Sequence, residues 1–265
     1  MSQTEITNIL DHFCTPPLIP ETDNDQKVLA DAELLDISFE GHLLKGYAWG
    51  EGPPVLLAHG WGSRASHLTS LGRILAKAGF RVLAYDQPAH GQSLKRGQAN
   101  RSSLPEFCRA ISTVAGAPLY ALVGHSLGAA ASALVVGGCP VVPLARVTTD
   151  RLILISSPAS VISIISQFCR TTGLHERRDE LTREIEAGYG FALDAYAVDP
   201  ALSNCTARVL IVHDPDDREI PFSDALTLRK ACPSARFVET KGAGHREILG
   251  NRTMLKAVRD FLVEP

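Results

Sequence analysis

The sequence predicts an α/β protein with a mostly parallel, doubly wound sheet of about eight strands and an inserted helical lid. Short, continuously apolar runs such as Val55–Ala58 are typical of strands that are buried on both faces. These runs alternate with segments of helical periodicity, and such alternation implies crossover connections that cover both faces of a sheet. The alternation is interrupted across residues 158–206, where helical segments separate two strands. This interruption predicts the lid.

The predicted elements begin with a hairpin and continue as alternating strands and helices. Glu40-Gly41-His42 carries the turn signal of the hairpin, and Gly79 ends the first long helix. The predicted strands are 34–39, 43–49, 55–58, 81–85, 119–123, 151–155, 208–212 and 236–238. The predicted helices of the core are 68–78, 103–114, 129–136, 222–231 and 246–262.

This order of elements divides the chain into three parts. Residues 1–33 are predicted to form an N-terminal arm packed on the domain surface, with disorder as the alternative. Residues 34–157 and 207–265 form the predicted core, and residues 158–206 form the predicted lid insertion. The apolar residues that suggest a helical face in the arm are Ile6, Ile9, Leu10 and Phe13.

The composition and net charge of the chain argue against several classes of protein and partner. The 265 residues include 45% hydrophobic and 21% charged residues, which is ordinary for a globular protein, and they suffice to bury a large core. A net charge of −3 gives no electrostatic basis for binding nucleic acid or an anionic membrane surface. The N-terminus lacks the basic start and apolar core of a signal peptide, and no apolar run reaches membrane-spanning length. We therefore expect a cytoplasmic protein with six reduced cysteines and no membrane partner.

No cofactor and no metal are expected. The nine histidines include no H-x-x-x-H pair, and none joins a cysteine cluster. The oligomeric state stays open.

The segment Gly124–Gly128 (GHSLG) fits the pattern G-x-S-x-G and lies between a predicted strand and a predicted helix. In this setting the serine, Ser126, lies at the tip of a sharp turn, and the flanking glycines remove side chains that would clash there. The turn also brings Ser126 to a helix N-terminus, where free N–H groups favour negative charge. Ser126 is therefore the predicted nucleophile.

A serine nucleophile needs a base and a group that orients the base. In the layout that has such an elbow, the acid and then the histidine come later in the chain, from loops at the carboxyl ends of strands. Strand 236–238 is followed by Gly242-Ala243-Gly244-His245, which makes His245 the candidate base. Strand 208–212 is followed by three candidate acids, which are Asp214, Asp216 and Asp217.

Four motifs together resemble the α/β-hydrolase family, from about residue 34 to the C-terminus. Besides the elbow at 124–128, His59-Gly60-Trp61-Gly62 resembles the family's HG loop. Residues 85–93 resemble its D-x-P-G-H-G-x-S loop, with Ala89 where glycine is usual. Residues 213–221 resemble H-G-x-x-D-x-x-V-P, with Asp214 in place of glycine and Ile220 in place of valine.

The resemblance implies a role for each of the candidate residues. It assigns the nucleophile to Ser126, the base to His245 and the orienting acid to Asp217, because Asp217 matches the acid of the motif; Asp214 stays the alternative. It assigns the oxyanion donors to the backbone N–H groups of Leu127 and Trp61. The residues expected to support the site or its pocket are His59, Gly60, His125, Gly124 and Gly128.

The predicted function is a serine hydrolase that cleaves a carboxylic ester or thioester through an acyl-enzyme, with a small-molecule acyl substrate and water as partners. The same fold also serves peptidases, C–C bond hydrolases, acyltransferases and cofactor-free haloperoxidases, which stay open as alternatives. A third hypothesis is a non-catalytic binding protein on a hydrolase scaffold. The sequence of the predicted lid has no motif that identifies the substrate.

Overall fold

In a computed structural model, which describes residues 3–94 and 100–264, the chain forms one eight-stranded sheet. The strands are β1 (Glu33–Phe39), β2 (His42–Trp49), β3 (Pro54–Ala58), β4 (Arg81–Tyr85), β5 (Leu119–His125), β6 (Thr149–Ile155), β7 (Arg208–His213) and β8 (Arg236–Glu239). Their spatial order is β1-β2-β4-β3-β5-β6-β7-β8. β1 and β4 pair antiparallel with β2, and the other neighbours are parallel, which confirms the predicted fold class.

Helices cover both faces of the sheet. Those of the described chain are α1 (Gln3–Cys14), α2 (Asp23–Leu29), α3 (Thr69–Lys77), α4 (Leu104–Ala115), α5 (Leu127–Gly137), α6 (Val161–Thr172), α7 (Arg178–Tyr189), α8 (Val198–Ser203), α9 (Phe222–Ala231) and α10 (Arg252–Val263). The predicted helix 246–262 is wrong as one continuous element. A 3₁₀ turn, Glu247–Gly250, precedes α10, and the extended Asn251 accepts from the N–H groups of Thr253 and Met254 as the N-cap of α10.

The central strands explain why their sequences are apolar without alternation. On β5, Leu122 packs into the core that includes Phe107 of α4 and Leu134 of α5. The next residue, Val123, packs into the core on the opposite face of the sheet, which includes Leu75 of α3 and several residues of α10. Since successive side chains of a strand point to opposite faces, a strand covered on both sides needs an apolar residue at every position.

The segment between β6 and β7 is helical. Residues 158–206, called the insertion below, contain α6, α7 and α8. Helix α1 packs against α7, and Phe13 of α1 meets Phe168 of α6 edge to face, with ring centroids 5.2 Å apart. The arm and the insertion therefore contact each other, although they are far apart in the chain. Residues 1 and 2 of the predicted arm lie outside the described residues. The division into domains and the role of the insertion as a lid stay predictions.

Candidate active site

The turn between β5 and α5 holds Ser126 in a conformation that few residues adopt. Its φ is 54° and its ψ is −126°, so the backbone is strained at this position. A Cβ at Gly124 would lie 2.4 Å from Ala129 Cα, and a Cβ at Gly128 would lie 2.4 Å from the His59 carbonyl oxygen. Glycine at both positions lets the turn close and lets α5 approach the loop after β3. Ser126 consequently precedes the first residue of α5, at the edge where the parallel strands end.

A chain of two hydrogen bonds connects three of the predicted site residues. His245 Nε2 lies 2.9 Å from Ser126 Oγ, and His245 Nδ1 lies 2.8 Å from Asp217 Oδ2. Because the carboxylate only accepts, Nδ1 carries the proton and Nε2 is free to accept the serine proton. His245 and Ser126 are 7% and 9% exposed, so little water competes for these bonds. The arrangement is suited to proton transfer from Ser126 to His245.

Of the three candidate acids, Asp216 is exposed, and Asp217 and Asp214 have different partners. The buried side chain of Asp217 accepts from His245 and from the N–H groups of Glu219 and Ile220. Burial raises the pKa of Asp217, but these hydrogen bonds and the neighbouring imidazole outweigh it and hold the pKa below the ordinary value. Asp214 instead accepts from the hydroxyl of Thr240 and the N–H of Ala243, which connects the loops after β7 and β8. Of the two, Asp217 is the acid that contacts His245.

The HG loop lies directly against Ser126. A Cβ at Gly60 would be 2.6 Å from Ser126 Cβ and 3.2 Å from its Oγ. The indole ring of Trp61 stacks on Phe107 and meets His90 edge to face, with centroid distances of 6.2 Å and 5.2 Å. Within residues 3–94 and 100–264, the backbone N–H groups of Trp61 and Leu127 donate to no protein acceptor. Leu127 follows Ser126 in the chain, and Trp61 follows Gly60, the residue that lies against Ser126. The role of the two groups as oxyanion donors stays a prediction.

Two buried histidines support this geometry without joining the hydrogen-bonded chain. His59 Nδ1 donates to the Gly60 carbonyl, and its Nε2 accepts from the N–H of Gln87. His125 Nε2 donates to the backbone carbonyl of His245 over 2.8 Å, with the two rings 4.8 Å apart. Burial and the adjacent His245 lower the pKa of His125 to about 3, and burial lowers that of His59. Both rings are consequently neutral.

The loop that follows β4 connects through Asp86 to the 3₁₀ helix Ala65–Leu68, which comes shortly after the HG loop. This carboxylate accepts from the N–H groups of Ala65 and Gln92, each at 2.8 Å. Burial raises the pKa of Asp86 to about 6, although these two bonds oppose the shift. The positive φ of Ala89, 66°, shows why the related motif has glycine at this position.

Comparisons with known proteins identify the same family as the sequence motifs. The sequence profile of the alpha/beta hydrolase family matches residues 55–260. This range contains the elbow, the HG loop and the loops after β7 and β8, which carry Asp217 and His245. The chain belongs to the alpha/beta hydrolase family. Membership of this family supports a hydrolase activity. The human protein ABHD12B is 26% identical over an alignment of 231 residues that covers 79% of this chain, and the chain spans about 60% of the length of that curated relative.

Solved structures of other alpha/beta hydrolases share the architecture. An esterase from Pyrococcus furiosus superposes with a TM-score of 0.67 at 17% identity, over 94% of this chain and 98% of that one. The thioesterase domain from the curacin biosynthetic pathway gives 0.63 at 18% identity, over 88% of this chain and 99% of that one. At these identities the likeness establishes the fold alone.

The structure also adds residues that the sequence analysis missed. Glu219 Oε2 lies 3.9 Å from His245 Nε2, and Gln167 of α6 donates to the backbone carbonyl of Arg218. Position 219 lies inside the motif at residues 213–221, which was the only sequence signal for it. In the described part of the chain, no group of three or more His, Cys, Asp or Glu side chains has the arrangement of a metal site. Among the described helices, none combines the length and the apolar composition of a membrane-spanning segment.

Proposed function

We propose that this hydrolase is a serine enzyme that cleaves a carboxylic ester or thioester through an acyl-enzyme. The observation that carries the proposal is the hydrogen-bonded chain from Asp217 through His245 to Ser126, with donor and acceptor distances of 2.8 Å and 2.9 Å. Asp217 keeps the proton of His245 on Nδ1, and this leaves Nε2 as the base for the serine hydroxyl. The third hypothesis, a non-catalytic binding protein, would not require these three residues to be hydrogen-bonded to one another.

In the proposed reaction, Ser126 Oγ bonds to the carbonyl carbon of the substrate while its proton moves to His245 Nε2. The carbonyl oxygen becomes an oxyanion, which accepts from the N–H group of Leu127 at the N-terminus of α5 and from that of Trp61 in the HG loop. Collapse of this intermediate breaks the C–O or C–S bond, and the proton moves from Nε2 to the leaving group. Water, activated by the same nitrogen, then hydrolyses the acyl-enzyme and restores Ser126.

We assign the acyl-chain site to the insertion, in the role of a lid. Ile164 and Phe168 of α6 are only partly buried against the core, and Gln167 of the same helix bonds to the loop that carries Asp217. Because this bond connects α6 to the loop that carries Asp217, we expect the apolar face of α6 to receive an uncharged acyl chain. A series of p-nitrophenyl esters and acyl thioesters of increasing chain length tests this assignment, and equal kcat/KM throughout would contradict it.

Labelling with a fluorophosphonate tests the serine mechanism itself. Ser126 should displace fluoride from the probe and carry the phosphonyl group, identified by mass spectrometry, whereas Ser126→Ala should lose both the label and the esterase activity. Ser70→Ala, at an exposed serine of α3, is the matched control and should retain both. Full esterase activity in Ser126→Ala would disprove the proposal.

A further inference from the structure

Glu219 lies at the side of His245 that faces the reacting serine. Its Oε2 is 3.9 Å from Nε2, the same nitrogen that is 2.9 Å from Ser126 Oγ. Nε2 is therefore flanked by the nucleophile and by a second carboxylate, while Asp217 occupies the Nδ1 side. The backbone N–H of Glu219 donates to Asp217 Oδ1, so the position of residue 219 is coupled to that of the orienting acid.

Arg246 holds the side chain of Glu219 in this orientation. Its Nε donates to Glu219 Oε1 over 2.8 Å, and its Nη2 lies 3.4 Å from Oε2. The shorter bond is to Oε1, and Oε2 is the oxygen that faces His245. Both side chains are about half exposed, at 45% for Glu219 and 53% for Arg246, so the pair borders solvent. A pair with this exposure contributes little to folding stability.

The position of Glu219 has a consequence for the leaving group, which rests on the proposed function. The leaving oxygen or sulfur takes its proton from His245 Nε2 and must come within hydrogen-bond reach of that atom. The substituent on the leaving atom then passes beside Glu219 Oε2. A positive charge there is attracted by the carboxylate, and a negative charge is repelled.

We propose that Glu219 is a specificity-determining residue that favours substrates with a positively charged leaving group over neutral ones of the same shape. Anionic leaving groups are disfavoured. The substrate class is an ester or thioester of an amino alcohol or quaternary ammonium alcohol, or of the corresponding thiol. Because the pair is partly exposed and screened by water, we expect a preference of about tenfold in kcat/KM.

Two phosphorothiolates of matched shape test the inference without knowledge of the acyl group. One is a diethyl phosphorothiolate with thiocholine as its leaving group, and the other carries the isosteric, neutral 3,3-dimethylbutanethiol. In both, Ser126 Oγ bonds to phosphorus, the P–S bond breaks, and the serine proton passes through His245 to the departing sulfur. Because thiocholine is the more acidic thiol and the better leaving group, each rate constant of inactivation is divided by the rate constant for hydrolysis of the same probe by hydroxide. The ratio of the two corrected rate constants gives the preference, and mass spectrometry identifies the phosphorylated residue.

After this correction, the wild type should react about tenfold faster with the cationic probe, and the corrected ratio should fall when the ionic strength is raised. Glu219→Gln should bring the ratio to one or below, because Arg246 then lacks its counter-charge. Arg246→Gln should increase the ratio, since the carboxylate is no longer neutralised. Asp216→Asn removes the same charge from an exposed position of the same loop and should leave the ratio unchanged.

Each outcome decides between the two proposals. Phosphorylation of Ser126 at equal corrected rates by both probes, or a corrected ratio that Glu219→Gln leaves unchanged, would disprove the role of Glu219 and leave the serine mechanism intact. Failure of both probes to label Ser126 in folded protein would overturn the proposed function, and with it the role of Glu219.

Discussion

Gly60 and Ser126 are in such close contact that a Cβ at position 60 would lie 2.6 Å from Ser126 Cβ. No side chain fits there unless the HG loop or the nucleophile moves. A displacement of about 1 Å at a reacting group can cost about 100-fold in rate. The requirement for glycine at position 60 thus comes from Ser126, which is 66 positions away in the chain.

Gly60→Ala should lower kcat/KM by about 100-fold and slow labelling by a fluorophosphonate to a similar extent. The matched control is Gly188→Ala, since Gly188 lies in α7 with no atom within 4 Å of an added Cβ. The control should retain activity and gain slightly in stability, because alanine favours a helix. Unchanged labelling of Gly60→Ala would contradict the close approach.

Substitutions of the two acids should separate catalysis from stability. Asp217→Asn cannot hold His245 in the same tautomer, so kcat should fall about 10³- to 10⁴-fold with a smaller change in the free energy of unfolding. Asp214→Asn weakens the bonds to Thr240 and Ala243, and the free energy of unfolding should fall by about 1–3 kcal/mol with a smaller loss of kcat. Steady-state kinetics and urea unfolding measure both. The reverse ranking would exchange the roles of these residues.

The buried His125 should make stability depend on pH. Its pKa is about 3 in the folded protein and about 6.5 in an unfolded chain, so the unfolded state binds more protons between these values. Stability from neutral His125 is complete above pH 6.5 and is lost as the pH falls towards 3, by up to about 1.4 kcal/mol per pH unit. His125→Gln keeps a donor for the His245 carbonyl but does not titrate.

Urea unfolding at several pH values between 7 and 4 checks this expectation. The free energy of unfolding of the wild type, minus that of His125→Gln, should decrease as the pH falls. A difference that is constant over this range would show that His125 is not buried in its neutral form.

The N-terminal arm should stabilise the segment that follows the HG loop. The buried Asp25 of α2 accepts from Ser66 and lies 3.9 Å from Arg64, and Pro17 is so near Gly62 that a Cβ there would lie 2.9 Å from Pro17 Cγ. Asp25→Ala should therefore speed amide hydrogen exchange in residues 62–68 and lower the free energy of unfolding by about 1–3 kcal/mol. Asp23→Ala, at an exposed position of the same helical turn, is the control. Equal exchange in the two variants would contradict this role.

Local patterns were sufficient for most of the fold. Continuous apolar runs identified the central strands, because a strand buried on both faces has no polar position, as Leu122 and Val123 of β5 illustrate. The boundary at Asn251 was missed, since a 3₁₀ turn followed by a helix has nearly the same periodicity as one longer helix. The insertion was recognised as helical, but nothing in its sequence indicated its contacts with α1.

The sequence by itself determined the fold class and the candidate residues Ser126 and His245, because each lies in a short motif next to a strand end. Only the tertiary structure decided which aspartate contacts His245, that Glu219 faces the same imidazole, and that the arm contacts both the insertion and the HG loop. The physical reason is the distance along the chain over which each interaction acts. Backbone propensity and burial act on neighbouring residues, whereas these contacts depend on ångström distances between side chains that the sheet brings together from distant parts of the chain.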